Sequence, residues 1–333
     1  ELPQSFRRDC RHSFGLADLM ISTAKNIWRL GRAGRTMARY DFFLQPEQVS
    51  DLPWFARALL KTAKFGAAAP TVDSGSRVTA ALSSLGPSYI KLGQFLSTRP
   101  DVIGAKRAFE LKSLQDRLPP FSMAEAREII RNNLGQSVEE LFTDFGEPVA
   151  AASIAQVHKA TTKNGELVAV KILRPGVEKR FADDLSSFFF AARMMERFSR
   201  EAQRLRPVAA VEMLEHSMKL ELDLRMEASA ISEMTKATAD DLNFRLPSVN
   251  WPLTARQVLT TEWIEGTPIS DIATLRAKGF DLKALGDNII QSFLRHAIRD
   301  GFFHADMHRG NLFVDANGHL VVVDFGIMGR LSE

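Results

Sequence analysis

The stretch "HADMHRGNLFVDANGHLVVVDFG", His304 to Gly326, decides how the rest of the chain is read. Asp306 precedes Asn311 by five positions, and Asp324 follows Asn311 by thirteen. Between them lie two short apolar segments around Asn317-Gly318, a dipeptide suited to joining antiparallel strands. Phosphoryl transfer from ATP needs a carboxylate to orient or deprotonate the acceptor, and oxygen ligands to hold Mg2+ on the phosphates. Asp306, Asn311 and Asp324 supply those groups from one loop and one strand end. The same stretch admits a second reading, an H-x-D-x-H metal cluster of His304, Asp306 and His308, which gains nothing from the Asp-Phe-Gly downstream.

Upstream, "LVAVKIL" (Leu167 to Leu173) sets Lys171 inside an apolar, β-branched strand. A lysine there is costly to bury unless paired. Glu221, Asp223 and Glu227 in "KLELDLRMEASA" are the candidate partners, with 223 and 227 expected on one helix face by their four-residue spacing and 221 across from them. Ahead of the lysine strand stands "VAAASIAQVHKA" (Val149 to Ala160), where a phosphate-covering loop belongs. Its small residues are alanines, whose Cβ disfavours the positive φ that glycine adopts freely. A third stretch, "GPSYIKLGQFLSTRPD" (Gly86 to Asp101), places Lys91 and Gln94 one turn apart on an expected helix; by spacing alone it is an ordinary amphipathic helix.

With 333 residues and 45% hydrophobic content, the chain suffices for two domains or one bilobed domain with a buried core. Its single cysteine, Cys10, excludes an internal disulfide framework and a cysteine-based zinc site, which suits a reducing cytosolic setting. The net charge of only +3, from 43 basic and 40 acidic residues, argues against nucleic acid as a partner. The basic residues matter through their placement. Lys25, Arg29, Arg32, Arg35 and Arg39 fall between Leu19 and Tyr40 with no acidic residue among them. Leu16, Leu19, Met20, Thr23, Ile27 and Leu30 recur at helical intervals, predicting an apolar stripe beside a basic face. That pattern suits an anionic membrane surface or a helix packed on the protein with a solvated basic side. No run approaches the roughly 18 apolar residues of a membrane span. The chain starts without Met and stops nine residues after Asp324, so a fragment is expected at both ends.

Further helices are expected over 46–140, punctuated by prolines, among them a capped helix from Ser122 to Gly135. "AQVHKATT", "KNGE" and "LVAVKIL" read as strand, turn and strand, with Asn164-Gly165 supplying residues at positive φ. One long helical stretch is expected from Val177 to about Ala239, broken near Pro207. A strand then runs through "RQVLTTEWIEG" (Arg256 to Gly266), and an amphipathic helix from Asp281 closes on Gly301.

The spacing of Asp306, Asn311 and Asp324 matches protein kinases and their relatives. Together with the two upstream stretches, it resembles the UbiB family of atypical protein-kinase-like proteins, associated with ubiquinone (coenzyme Q) biosynthesis. The shared motifs are KxGQ (Lys91 to Gln94), an alanine-rich loop (Ala150 to Gln156), ExD (Glu221, Asp223) and HxDxHPGN (His304 to Asn311). Arg309 stands where the family usually has proline. The resemblance covers roughly Gly86 to Gly326. It implies an α+β, protein-kinase-like bilobed fold with an N-terminal helical extension and an incomplete C-lobe. It also implies a role for each motif position. Lys171 would be the phosphate-contacting lysine with Glu227 as its helix partner, Asp306 the acceptor-positioning acid, and Asn311 and Asp324 the Mg2+ ligands. The loop Ala150, Ala151, Ala152, Ser153, Ile154, Ala155 and Gln156 would cover ATP, and the hinge from Glu262 through Ile264 to Glu265 would meet adenine. Lys91 and Gln94, with Glu221 and Asp223, would be regulatory, the KxGQ helix folding over the active site.

The expected organisation is a basic helical region over 1–80, a KxGQ extension over 81–140, an N-lobe with helical insert over 141–265, and the start of the C-lobe over 266–333. The expected activity is that of a Mg-dependent atypical kinase or ATPase at the cytoplasmic face of a bacterial inner membrane. Its partners would be ATP, anionic lipid, and ubiquinone-biosynthesis enzymes or lipid quinone precursors. The alternatives are a nucleotide-gated scaffold or lipid-extracting module, and a small-molecule phosphotransferase.

Overall fold

The computed structural model describes residues 16–40, 74–112, 114 and 118–331. The chain divides into two compact units, one drawn from Glu1–Gln115 and Glu178–Glu215, the other from Asp116–Val177 and His216–Glu333. The helices expected over 46–73 lie outside the described residues.

The first unit is helical. Its helices include Leu16–Arg39, Ser74–Leu85, Pro87–Ser97 and Ala105–Leu111. Pro87 opens its helix at the position where a missing N–H costs nothing. Gly93, the glycine of KxGQ, is buried, and a Cβ there would lie 2.6 Å from Leu82 and 2.7 Å from Leu114. The motif glycine therefore lets this helix pack closely, while Lys91 and Gln94 remain half-buried.

The apolar stripe expected on the first helix is corrected at Ile27, which is exposed; Thr23 and Leu30 are half-buried, and the buried positions among the described side chains of this helix are Asn26, Ala33 and Ala38. The reason is a polar seam: the Asn26 amide donates to Ser186 Oγ at 3.2 Å and accepts from Ser187 Oγ at 3.1 Å, and Arg29 bridges Asp183 at 2.7 Å. Among the described residues no helix is long and apolar enough to cross a membrane.

The helical stretch expected from Val177 to about Ala239 is four helices, Val177–Phe198, Arg200–Leu205, Pro207–Glu221 and Leu224–Ala237: the break expected near Pro207 is there, with two further ones at Ser199 and at Leu222-Asp223. Ser199 caps the second of these, and Arg206 ends it in the left-handed region at φ 50°. Asp223 is the N-cap of the fourth, accepting the Arg225 N–H at 3.1 Å. Glu221 ends one helix and Asp223 precedes the next, so 223 and 227 do not share a helix face.

The second unit carries the strands β1 Phe142–Ala151, β2 Ala155–Thr162, β3 Leu167–Leu173, β4 Phe244–Arg245, β5 Val258–Glu262, β6 Gly266–Pro268, β7 Phe302–His304, β8 Leu312–Asp315, β9 Leu320–Val322 and β10 Met328–Arg330. They form an antiparallel sheet ordered β1-β2-β3-β5, a sheet ordered β4-β9-β8-β6, and the ribbon β10-β7. In the β2–β3 turn only Gly165 adopts positive φ, not Asn164 as expected. Thr162 accepts the Gly165 N–H and donates to Glu166, so the loop is longer than a two-residue turn. Strand period sorts the first sheet's faces. Val168, Val170 and Ile172 of β3 pack with Ala126 and Ile130 of the helix Met123–Leu134. That helix has the expected ends: a capping box between Ser122 and Glu125, and Gly135 in the left-handed region. Lys171, one residue out of phase with the core valines, points the other way.

Candidate active site

Period two puts the Lys171 ammonium on the face opposite the hydrophobic cluster, where two carboxylates receive it. Its Nζ lies 2.9 Å from both oxygens of Glu227 and 3.0 Å from Asp324 Oδ1. Glu227 is buried in the first turn of its helix and also accepts the Phe325 N–H at 3.2 Å. Burial alone would lower the lysine, but Asp324 and Glu227 outweigh it, and its net direction is upward. Burial pushes the Glu227 carboxyl up, partly countered by Lys171. Asp324 differs from both: its side chain is about half exposed, at 52%, and its backbone sits in the left-handed region at φ 67°. A non-glycine residue there is held against a local preference, here by Lys171, by the Gly326 N–H at 3.4 Å and by His304.

His304 links the two loops. Its Nδ1 accepts the Asp306 N–H at 3.1 Å, which fixes the proton on Nε2, and Nε2–H donates to the Asp324 carbonyl at 2.6 Å. The ring is buried, which pushes its pKa down, and Phe325 packs edge-on against it at 5.2 Å. His304 therefore faces the chain, away from a shared metal position with Asp306 and His308. His308 Nε2 lies 3.6 Å from Asp306 Oδ2, and no cluster of three metal-binding side chains of the His, Cys, Asp or Glu type occurs among the described residues.

Asn311 is buried, and its Nδ2 donates to the Asp306 carbonyl at 3.3 Å, leaving the amide oxygen as the group it offers to a cation. Its own carbonyl accepts the Val323 N–H at 2.9 Å, which ties it to the residue before Asp324. An amide oxygen and a carboxylate are hard donors of the type Mg2+ takes.

The alanine-rich segment is a tight strand connection. Ala150 and Ala151 close β1, Ala155 and Gln156 open β2, and only residues 152–154 lie between, closed by the Ala152 N–H to Ala155 carbonyl bond at 2.8 Å. Ala150 is exposed and Ala151 and Ala152 are half-buried, whereas Ser153, Ile154, Ala155 and Gln156 are buried. Gln156 faces inward: its amide accepts from the Phe121 N–H at 2.9 Å and meets His158 Nε2 at 2.8 Å. His158 donates from Nδ1 to the Gly146 carbonyl at 2.8 Å and stacks on Phe145.

At the expected hinge, the Glu262 carboxylate turns to Arg245, the Glu262 N–H goes to the Ser248 carbonyl at 2.8 Å, and the Trp263 N–H to the Leu167 carbonyl at 3.1 Å. Asp223 is bridged by Arg225 at 2.6 Å beside its capping role. Lys91 and Gln94 belong to the first unit and Glu221 and Asp223 to the second. Sequence reasoning missed His304 as a link, His158 as a buried acceptor, and Arg174, whose guanidinium reaches the Ala152 carbonyl at 2.8 Å. A buried histidine in an alternating strand gives a faint signal; an arginine bound to main-chain carbonyls gives none.

Comparisons with known proteins bear on this geometry. A family model described as the ABC1 atypical kinase-like domain matches residues 113–333. Curated relatives named "Probable protein kinase UbiB" are similar over most of the chain. That of Marinobacter nauticus is 41% identical over 268 residues, 79% of this chain and 49% of the relative. That of Xylella fastidiosa is 39% identical over 316 residues, 93% and 57% of the two chains, and that of Pseudomonas putida 40% identical over 316 residues, 92% and 58%. The chain spans about half to three-fifths of the length of these relatives. Among solved structures, the complex of Rv3197 with erythromycin from Mycobacterium tuberculosis aligns with a TM-score of 0.54 and 29% identity, over 77% of this chain and 65% of that one.

Proposed function

The chain belongs to the UbiB family of ABC1 atypical kinases and has its kinase-like α+β fold, and from that premise we propose that it binds ATP with Mg2+ and activates its terminal phosphate. The observation that carries the proposal is the Lys171 ammonium shared between Glu227 and Asp324. Lys171 contacts the α- and β-phosphates, Glu227 holds that lysine in place, and Asp306 orients the acceptor. Asn311 and Asp324 hold the cation, which when bound neutralises charge on the phosphates. Residues Ala150 to Gln156 cover the nucleotide, and the hinge from Glu262 through Ile264 receives adenine. Regulatory roles for Lys91, Gln94, Glu221 and Asp223 rest on family resemblance. Mg-ATP binding and turnover by the full chain test this reading. Asp324→Asn and Lys171→Met are expected to lower turnover by roughly a hundredfold or more, the scale of losing a charge-stabilising group at a reacting phosphate. Undiminished Mg-ATP binding and turnover in Asp324→Asn would sink it.

The acceptor is proposed to be water or a small lipid or phenolic precursor, in support of ubiquinone biosynthesis, by family association. An anionic membrane surface is the proposed setting. It is supported by the outward face of the helix Leu16–Arg39, where Lys25, Trp28, Arg32, Arg35 and Arg39 are exposed at alternating three- and four-residue steps. Ile27 lies beside them at 54% exposure and Trp28 at 65%. Vesicles rich in anionic lipid are expected to bind the protein and stimulate ATP turnover, and neutral vesicles are not. Equal effects of both would return this face to a solvated role.

A further inference from the structure

One residue that the nucleotide reading does not use controls the shape of the alanine turn. Arg174 stands directly after β3, and its backbone N–H donates to the Ile154 carbonyl at 2.8 Å. Its guanidinium donates to the Ala152 carbonyl twice, from Nε at 3.1 Å and Nη2 at 2.8 Å. The same Nη2 reaches the Pro119 carbonyl at 2.8 Å and the Leu118 carbonyl at 3.3 Å, and the guanidinium carbon lies 5.7 Å from the centre of the Phe121 ring. Pro119 and Pro120 have fixed φ and no N–H to donate, so they form a short stiff rod that can be held only by its carbonyls and its ends. Arg174 takes the carbonyls at one end. Gln156 takes the other, accepting the Phe121 N–H at 2.9 Å and donating to the Phe121 carbonyl at 3.4 Å.

Both flanks of the turn, Ala152 and Gln156, are thereby fastened to the rod Leu118–Phe121, and the carbonyls of Ala152 and Ile154 are bound to a single residue. We propose that Arg174 is a positioning residue: its planar fork fastens the alanine turn to the Pro-Pro rod, and so sets how closely the turn approaches nucleotide phosphates. A lysine would keep the charge, but its single ammonium cannot reproduce the Nε and Nη2 pair on Ala152. The inference rests on the nucleotide reading above and adds a determinant of affinity to it.

The test uses the full chain as wild type, Arg174→Gln, Arg174→Lys and Asp324→Asn, with Kd for Mg-ATP, thermal midpoint, and amide exchange over residues 118–121 and 150–156. The fork makes charge-assisted hydrogen bonds, so Arg174→Gln is expected to change Kd by roughly tenfold. Exchange should speed up in the turn and the rod together, and Arg174→Lys should fail to restore either readout. Rescue by lysine would make the effect one of charge and overturn the positioning role, as would an unchanged Kd in Arg174→Gln. A drop in thermal midpoint with unaltered Kd would mark the arginine as structural only and would also overturn it. If wild type bound no Mg-ATP, the nucleotide reading would fall and this inference with it. If wild type bound, Asp324→Asn bound less and Arg174→Gln matched wild type, this inference alone would fail.

Discussion

Two buried carboxylates bracket the helix Leu224–Ala237, and they are held in opposite ways. At its start Glu227 pairs with Lys171, which it shares with Asp324. Beyond its end Asp241 has three basic neighbours: Arg299 at 2.9 Å, Arg295 at 3.2 Å and His296 Nε2 at 2.9 Å. Burial would raise Asp241, but hydrogen bonds from Arg299 and His296 outweigh it and hold the carboxyl below the usual range. Arg299 also caps the helix through the Ala237 carbonyl at 3.2 Å. A one-turn π segment, His296–Asp300, presents His296 and Arg299 to Asp241 together. In the first cluster two carboxylates share Lys171, whereas around Asp241 two guanidiniums face two carboxylates, because Arg299 also bridges Asp300 at 2.6 Å. The saturated cluster suits an anchor. The cluster that shares one lysine has a half-exposed member on a strained backbone, in keeping with the proposed entry of a cation and phosphates there.

The contrast is broken most forcefully at the anchor. Asp241→Ala removes the acceptor of two arginines and a buried histidine and is expected to cost roughly 2–4 kcal/mol by chemical denaturation, the range for charge-assisted bonds at a buried site. A cost equal to that of an exposed pair would erase the distinction. Glu227→Gln should cost less, about 1–2 kcal/mol, since the amide oxygen still accepts from Phe325 and Lys171 keeps Asp324. Its larger effect should fall on ATP turnover, the reverse of the Asp241 result, and a variant with full turnover would remove Glu227 from the site.

The smallest effect is that of pH, and it touches both clusters. His158, His296 and His304 are each pushed below 6.5, chiefly by burial. His296 shows why: Nε2–H serves Asp241, and Nδ1 meets no hydrogen-bond partner among the described residues, so a second proton would be buried without an acceptor. A depressed folded-state pKa means the unfolded chain binds more protons between the two values. Stability is therefore complete above about pH 6.5 and falls as pH drops through the folded values. The thermal midpoint should stay level from pH 8 to 7 and decline toward pH 5.5. A midpoint that rose on acidification would reverse the assignment of all three as buried neutral rings.

Much of this was legible in the residues themselves. Alternation through "LVAVKIL" put Lys171 opposite the core valines, and Ser122 with Glu125 announced its helix start. The spacing from Asp306 to Asp324 led to two loops that the structure ties together through His304 and Asn311. The break at Leu222-Asp223 was hidden because no proline or glycine marks it, and an aspartate N-cap inside a helical pattern resembles any solvated acid. Ile27 was misplaced on the first helix because the polar seam beside it is made by Asn26 and Arg29, which a hydrophobic stripe cannot reveal. Arg174 was invisible because carbonyls 22 and 55 positions away in the chain have no side-chain signature.

The neutral ring of His304 has a mechanical consequence. It gives its only proton to the Asp324 carbonyl and its only lone pair to the Asp306 N–H, so it works as a rivet through two plates. Loosening either side strands a buried polar atom without a partner. The segments bearing Asp306 and Asp324 are thus joined, and displacement of one reaches the other through this imidazole as well as through Asn311.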